Sequence, residues 1–179
     1  MQKLGLTLLL LSIVGCTTTL DDYTNTHPQL ELDSFFNGDL KAWGIVQGRS
    51  GKVIRTFTAE LNGQWEGNQG ILDETFIYND GEQQHRSWNL IKLENGRYSG
   101  TANDVLTPAN GGTNGIAMNW QYSVLLEVDG SNWNISFDDW MYLVNENSLI
   151  NKAALTKFGF KVGEVTLFIQ KLPRPKNSD

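Results

Sequence analysis

The chain has 179 residues, of which 40% are hydrophobic, 11% aromatic and 19% charged. This is the composition of one globular domain rather than of a disordered chain. The formal net charge of −6 argues against binding to nucleic acid and against electrostatic docking onto anionic lipid. One Cys excludes an internal disulfide, and two His leave little for a metal cluster, so neither a metal nor a cofactor is predicted.

The first 15 residues predict a signal peptide. Lys3 precedes the apolar stretch Leu4–Val14, which is too short to span a bilayer core of about 30 Å as a helix. The stretch runs into Gly15-Cys16 and there resembles the bacterial lipobox. The resemblance implies cleavage before Cys16 and acylation of that residue. A plain signal peptide followed by a chance Cys is the alternative.

An acylated Cys16 would be a stable membrane anchor, because each buried methylene contributes about 0.8 kcal/mol. Thr17, rather than Asp, follows Cys16. By resemblance to Gram-negative sorting signals, this predicts an outer-membrane lipoprotein with its domain facing the periplasm. Cleavage removes Lys3 and no acid, so the formal charge goes from −6 to −7. No other segment is apolar for long enough to cross a bilayer as a helix.

The mature chain divides into three parts by composition. Residues 16–35, which are polar and aperiodic, predict the lipidated Cys and a flexible tether. Residues 36–172 predict a single β-barrel domain, and residues 173–179 a polar tail.

From Leu40 onward, segments of alternating polarity are separated by turn signals such as Asn95-Gly96 and Asp129-Gly130. The pattern predicts eight strands, at residues 40–47, 53–65, 71–79, 84–93, 97–105, 116–128, 133–144 and 160–170. The segment Ser148–Lys157 contains good helix formers and precedes Gly159, so it predicts one short helix before the last strand. This helix is interpreted as a packing connector, or alternatively as a lid.

Alternation within the strands indicates one buried and one wet face, as with Trp120 and Tyr122 opposite Gln121 and Ser123. Eight antiparallel strands of this kind are expected to close into an up-and-down barrel, which leaves no exposed edges. A two-sheet sandwich is the alternative. A membrane-spanning barrel is rejected, because it needs apolar positions facing the lipid.

Sequence motifs for catalysis are weak. The segment Gly48–Val53 has the wrong spacing for a phosphate-binding loop and is interpreted as a hairpin turn. Asp138 and Asp139 are neighbours on a strand and therefore point to opposite faces, with Asp139 inward. His85 lacks metal-ligand neighbours, and no Gly-x-Ser-x-Gly elbow occurs. These observations predict a protein that is not an enzyme.

Charged residues in phase with the buried face are the most informative feature. An unpaired buried charge is unfavourable by several kcal/mol, so these groups must pair or meet water. Either they form a structural ion-pair network, or they fix the polar head of a ligand in a cavity, where small residues at Gly100 and Ala102 leave room. The candidate ligand-binding residues are Arg55, Glu74, Arg86, Tyr98, Asp104, Trp120, Tyr122 and Asp139.

The chain resembles an uncharacterised family of Gram-negative lipoproteins that is known as a domain of unknown function. The resemblance is carried by Trp43-Gly44, Arg86-x-Trp88 and Gly163-Glu164-Val165, and it covers nearly all of the mature chain. It implies no established activity and no catalytic residues. A weaker resemblance, at Trp43, is to lipocalins and other calycin barrels, which bind small apolar ligands.

Three functions follow as hypotheses. The first is a lipid-anchored barrel that binds a small amphipathic ligand, such as a fatty acid or a phospholipid, without catalysing a reaction. The second is a structural or interaction module of the envelope with a filled barrel. The third is an enzyme acting on lipids, with Asp104, Asp139 or Glu74 as acid or base groups. No protein partner is predicted.

Overall fold

A computed structural model describes residues 17–128 and 130–173, without the side chains of residues 127 and 128. The predicted signal peptide, Cys16, the turn residue Asp129 and the tail from residue 174 onward lie outside the described residues. Among the helices that the structure describes, none is long and apolar enough to cross a membrane.

The described chain forms a closed barrel in which each strand pairs antiparallel with the next and the last strand pairs with the first. This confirms the predicted all-β up-and-down architecture. The strands are β1 (Gly38–Gly48), β2 (Val53–Glu66), β3 (Gln69–Tyr78), β4 (Gln83–Lys92), β5 (Arg97–Ala102), β6 (Ala109–Asn114), β7 (Ala117–Val128), β8 (Ser131–Asn145), β9 (Ser148–Lys157) and β10 (Phe160–Lys171).

The prediction of eight strands is wrong, because the described residues form ten. One additional strand is β6, whose sequence Ala-Asn-Gly-Gly-Thr-Asn carries almost no hydrophobic alternation. It pairs with β5 and β7 through its backbone, and its glycines let neighbouring atoms approach closely. The main-chain hydrogen bonds, rather than the side chains, therefore account for this strand.

The predicted helix is also wrong, because Ser148–Lys157 is strand β9. Leu149, Asn151 and Ala153 are buried on one face, while Ile150 and Lys152 are exposed on the other. Helix propensity is a weak preference that tertiary pairing overrides. Here β8 and β10 flank the segment on both sides, and a helix would leave both of them with an unpaired edge.

The two ends of the barrel differ. The turns after β1, β3, β5, β7 and β9 meet at one end, which we call the open end. The remaining turns meet at the closed end, together with the N-terminal segment. A 3-10 turn (Leu20–Tyr23) and the short helix α1 (Leu32–Phe35) form this segment, and Leu30, Leu32, Phe35 and Phe36 are buried.

This N-terminal plug, residues 20–37, differs from the predicted flexible tether. The backbone N–H of Leu30 donates to the carbonyl of Gly115 over 2.8 Å, and Lys92 Nζ lies 2.9 Å from Asp33 Oδ1. Tyr98 Oη donates to the same carboxylate over 3.2 Å. Polarity favoured a tether, but the four apolar side chains of the plug complete the core at this end.

Candidate functional site

Inward-facing polar side chains meet near the middle of the barrel. We call this group, Glu74, Arg86, Asp104, Tyr122 and Asp139, the central polar cluster. Strands β3 and β4 place Glu74 opposite Arg86 in register, and β7 and β8 supply Tyr122 and Asp139. All five are among the residues predicted from the inward phase of the strands, and the structure brings them together.

Arg86 and Asp104 form the ion pair of this cluster. Arg86 Nε lies 3.0 Å from each carboxylate oxygen of Asp104, and Arg86 Nη2 lies 2.6 Å from Oδ2. The side chains remain 18% and 28% exposed. Burial alone would lower the pKa of Arg86, but Tyr122, Asp104 and Glu74 raise it above its ordinary value. The guanidinium is therefore held charged and already has a carboxylate partner.

A local break in the barrel wall positions Asp104. Strand β5 pairs only with the Trp88–Lys92 part of β4, and the chain then crosses toward β7. There Val105 forms a bridge to Val124, and the N–H of Leu125 donates to the carbonyl of Asp104. This short strand ends the regular wall beside Arg86 and leaves the ion pair in contact with water.

Glu74 is half-buried beside the indole of Trp88, whose Nε1 donates to its Oε2 over 3.2 Å. Burial raises the pKa of Glu74 to about 7, although Arg86 and the Trp88 N–H act in the opposite direction. Because Arg86 is engaged by Asp104, Glu74 has no ion pair within 4.0 Å among the described residues. Its carboxyl group can therefore exchange a proton near neutral pH.

Asp139 is 6% exposed and accepts hydrogen bonds from Asn151 Nδ2 and, over 3.4 Å, from Tyr122 Oη. Burial raises the pKa of Asp139 to about 6, and these two donors lower it only in part. Burial and the charge of Asp139 also raise the pKa of Tyr122 well above its ordinary value. Asp139 is thus a second buried carboxyl group that titrates near neutrality.

The central polar cluster contains more acidic than basic groups. Within the described residues, it has one guanidinium and three carboxyl groups, and two of these, Glu74 and Asp139, have raised pKa values. Buried ionic groups stabilise a fold poorly compared with apolar side chains of similar size. This arrangement can hold the polar group of a ligand or transfer protons to and from it.

Arg55 does not join the cluster. At the open end, its Nη2 lies 2.8 Å from Asp80 Oδ1 and 2.8 Å from Glu82 Oε2. Its guanidinium carbon also lies 3.6 Å from the centre of the Tyr78 ring. The alternation of side chains along β2 predicted correctly that Arg55 faces inward. It could not predict its partners Asp80 and Glu82, because these lie in the β3–β4 turn.

The other predicted residues pack in the core. Tyr98 lies at the closed end against the plug, and Trp120 packs edge-on against Trp88 with ring centres 5.9 Å apart. The space expected beside Gly100 is filled, because a Cβ atom there would lie 2.8 Å from Leu90 Cδ2 and 3.0 Å from Trp120 Cζ2. Gly100 therefore makes room for the indole and not for a ligand.

Sequence reasoning missed two contributors, Trp88 as the donor to Glu74 and Asn151 as the donor to Asp139. Trp88 entered the sequence analysis only as part of the Arg86-x-Trp88 motif. Asn151 was hidden by the helix prediction. Alternation along Leu149, Asn151 and Ala153 was the signal that would have placed it inside the barrel.

A groove of about 750 Å³ lies on the outside of the barrel, separate from the central polar cluster. The ring of Trp43 stacks on that of Phe168 with centres 6.2 Å apart, and Ile77 lies on the other side of the groove. Its lining is mostly apolar and includes none of the predicted site residues. In the part of the chain that the structure describes, no group of three or more His, Cys, Asp or Glu is placed to hold a metal ion.

Two solved structures are similar to this barrel. A protein of unknown function from the DUF3598 family of Nostoc punctiforme PCC 73102 matches with a TM-score of 0.55 and 9% identity, over 82% of this chain and 51% of the other. This chain thus spans about half of the Nostoc protein. An S-type phycobiliprotein lyase, CPES, from Guillardia theta matches with a TM-score of 0.55 and 5% identity, over 81% of this chain and 95% of the other.

The expectation of a protein that is not an enzyme is corrected by the second likeness. The Guillardia protein with this fold is named a lyase, so a barrel of this kind is compatible with enzymatic activity. That expectation was based on the lack of a familiar catalytic motif. A short sequence motif does not detect a site whose residues come from several strands.

No curated protein matches the sequence. The sequence does match a family described as protein of unknown function (DUF3833) over residues 10–171, which is most of the chain. The resemblance to an uncharacterised family is thereby confirmed, and the chain belongs to the DUF3833 family.

Proposed function

We propose that the barrel binds a small amphipathic ligand, a fatty acid or another lipid, with its polar head at the central polar cluster. The observation that carries this proposal is the pair Glu74 and Asp139, which have no ion-pair partner beside the Arg86–Asp104 pair and whose raised pKa values let them hold protons and donate to the polar head. Such a group adds little to stability, so binding is the better explanation for its presence.

Access and lining support the same proposal. Arg86 and Asp104 keep 18% and 28% of their side-chain surface in contact with water. The inward-facing side chains next to the cluster include aromatic rings, such as the stacked pair Tyr122 and Phe137 with centres 5.0 Å apart. An apolar chain would contact these rings while the head meets the charged groups.

The first experiment is native mass spectrometry of the protein from Thr17 onward, which contains the whole described barrel and its plug. The protein is exported to the periplasm and purified without detergent. We expect an additional mass of one lipid for each chain. A clean mass that is unchanged after mixing with oleic acid and phosphatidylethanolamine would contradict the proposal and favour a filled structural barrel.

Titration of the wild type and of single variants with oleic acid tests where the ligand binds. We expect Arg86→Lys to weaken binding at least tenfold, because Lys cannot reproduce the two-pronged geometry of the guanidinium. Arg55→Lys, at the open end, is the matched control and should bind as the wild type does. Loss of binding in Trp43→Ser but not in Arg86→Lys would place the ligand in the outer groove and overturn the assignment to the cluster.

We further propose that Cys16 is acylated and anchors the protein in the outer membrane, with the barrel facing the periplasm. The lipobox-like sequence supports this, and the family match begins at residue 10, upstream of Cys16. Incorporation of labelled palmitate should be lost in Cys16→Ala. Labelling that persists in this variant would contradict the proposal.

A second candidate function is acid–base chemistry on a bound lipid. It is favoured by two carboxyl groups, Glu74 and Asp139, whose pKa values of about 7 and about 6 suit proton transfer near neutral pH. Turnover of a lipid ester by the wild type and its loss in a folded Asp139→Asn variant would support it. Equal turnover in both proteins would count against it.

A further inference from the structure

The hairpin between β9 and β10 presents two aromatic side chains to solvent at the open end. Residues 157–161 read Lys-Phe-Gly-Phe-Lys. Phe158 is 89% exposed and Phe160 is 70% exposed, the highest values among the exposed large hydrophobic residues of the described chain. Full burial of a Phe is favourable by about 1.5–3 kcal/mol, so these rings are suited to a contact outside the fold.

The backbone conformation of this turn indicates that Phe158 does not stabilise the hairpin. Phe158 and Gly159 have φ angles of 51° and 80°. Two successive positive φ angles in a tight hairpin favour Asn-Gly, and a bulky residue at the first position is strained. The same barrel uses that pair after β4, where Asn95 and Gly96 have φ angles of 57° and 67°. At Phe158, an aromatic ring occupies a position that Asn would fill with less strain.

Basic residues surround the two rings. The β1–β2 turn is a neighbour of the β9–β10 turn, because Gly48 pairs with Gly163. It adds Arg49 and Lys52, together with exposed Val53 and Ile54. Residues 47–54 and 155–162 contain four basic residues and no acid. The net charge of −6 therefore does not describe the local charge of these two segments, which is positive.

The two flanking lysines of the hairpin have internal contacts that leave their charge near the rings. Lys157 Nζ lies 2.9 Å from the centre of the Trp133 ring. Lys161 Nζ lies 2.7 Å from Glu164 Oε2, so part of its charge is compensated. Arg49 and Lys52 are exposed and have no ion pair within 4.0 Å to any described residue. These two supply the uncompensated positive charge.

We propose that the open-end tip, residues 47–54 together with 155–162, is a docking surface for a lipid bilayer that contains anionic lipid. Phe158 and Phe160 would enter the headgroup region, and the basic side chains would meet lipid phosphates. Neither a ligand inside the barrel nor acylation of Cys16 is required. The described chain begins at the closed end, so this contact is separate from any N-terminal anchor.

The test is co-sedimentation of the protein from Thr17 onward with vesicles of phosphatidylethanolamine and phosphatidylglycerol. We expect the wild type to bind and Phe158→Asn/Phe160→Asn to partition at least tenfold less. Because Asn tolerates a positive φ angle, this variant should melt no lower than the wild type. Its affinity for oleic acid should also be unchanged, which separates this proposal from the ligand proposal.

The matched control is Ile91→Asn/Leu93→Asn. These two side chains are each 44% exposed and lie toward the closed end. This variant should bind the vesicles as the wild type does. Unchanged binding of the Phe158/Phe160 variant, or no binding of the wild type, would overturn the proposal. Equal binding to vesicles of phosphatidylethanolamine alone would contradict the role of the basic residues.

Discussion

At the scale of single residues, the central polar cluster makes the stability of the barrel depend on pH. Burial raises the pKa of Glu74 from 4.5 to about 7 and that of Asp139 from 3.8 to about 6. The folded protein therefore holds protons that the unfolded chain has already released. By linkage, the free energy of unfolding falls as the pH rises from about 4 to about 7.

Carboxyl groups whose pKa is lowered in the folded protein affect its stability only at lower pH. Arg55 lowers the pKa of Asp80, and Lys161 lowers that of Glu164. Their contribution to stability is present above their ordinary pKa values and is lost only in more acid solution. Between pH 5 and 8, Glu74 and Asp139 are thus expected to determine the slope.

Substitution Glu74→Gln should remove the part of this slope that Glu74 contributes and leave the part due to Asp139. At pH 5 the variant and the wild type should unfold at nearly the same urea concentration, because the wild-type carboxyl group is protonated there. At pH 8 the variant should be more stable by about 1–3 kcal/mol, since Gln carries no buried charge. Urea titrations at both pH values measure this. If the variant is less stable than the wild type at pH 8, Arg86 stabilises the ionised form of Glu74 in the folded protein.

Substitution Arg86→Ala should be strongly destabilising, because it leaves Asp104 and Glu74 without the one guanidinium of the described cluster. Breaking a fully buried pair is unfavourable by about 3–5 kcal/mol, and the loss here should be lower because the two side chains are 18% and 28% exposed. Arg55→Ala is the comparison at the open end, where the partner carboxylates are 52% and 49% exposed and a much smaller loss is expected. Thermal and urea denaturation measure the stability that each variant loses. Equal losses in Arg86→Ala and Arg55→Ala would show that the two ion pairs lie in similar environments.

At the scale of elements, the sequence predicted strands wherever side chains alternate and failed where the backbone or the neighbours determine the structure. Strand β7 alternates clearly and was found, with Trp120 and Tyr122 inward. Strand β6 is mostly Gly and Asn and was missed. Strand β9 has the composition of a helix but lies between two strands that require a partner. Asn151 was lost with it, and so was a donor to Asp139.

Contact between the plug and β2 gives an element-scale prediction. A Cβ atom on Gly63 would lie only 1.7 Å from the backbone carbonyl oxygen of Phe36, which cannot turn away as a side chain would. Gly63→Ala should therefore displace the plug and lower the free energy of unfolding by about 2–4 kcal/mol. Gly48→Ala is the control, because the nearest atom there is 3.6 Å away. Similar melting temperatures for the two variants would show that the plug yields freely.

At the scale of the whole molecule, the barrel has two different ends. The plug closes one end with apolar side chains and with the ion pair of Lys92 and Asp33. The other end carries the aromatic rings and the exposed tip around Phe158. The central polar cluster lies between them and contacts water through Arg86 and Asp104. A ligand would thus reach the cluster from the open end or beside the short strand β5, and not through the plug.

Removal of the plug should show that it belongs to the folded unit. A chain beginning at Gly38 retains all ten strands but loses Leu30, Leu32, Phe35 and Phe36, which are each at most 4% exposed. Full burial of such side chains contributes about 1.5–3 kcal/mol each, and the sum is comparable to the whole stability of a domain, about 5–15 kcal/mol. We therefore expect the shortened chain to lose its near-ultraviolet circular dichroism and its cooperative melting. A chain beginning at Leu20, which lacks only exposed residues of the described chain, should keep both. If the chain from Gly38 melts cooperatively near the wild-type temperature, the barrel is self-sufficient and the plug is a removable cover over its closed end.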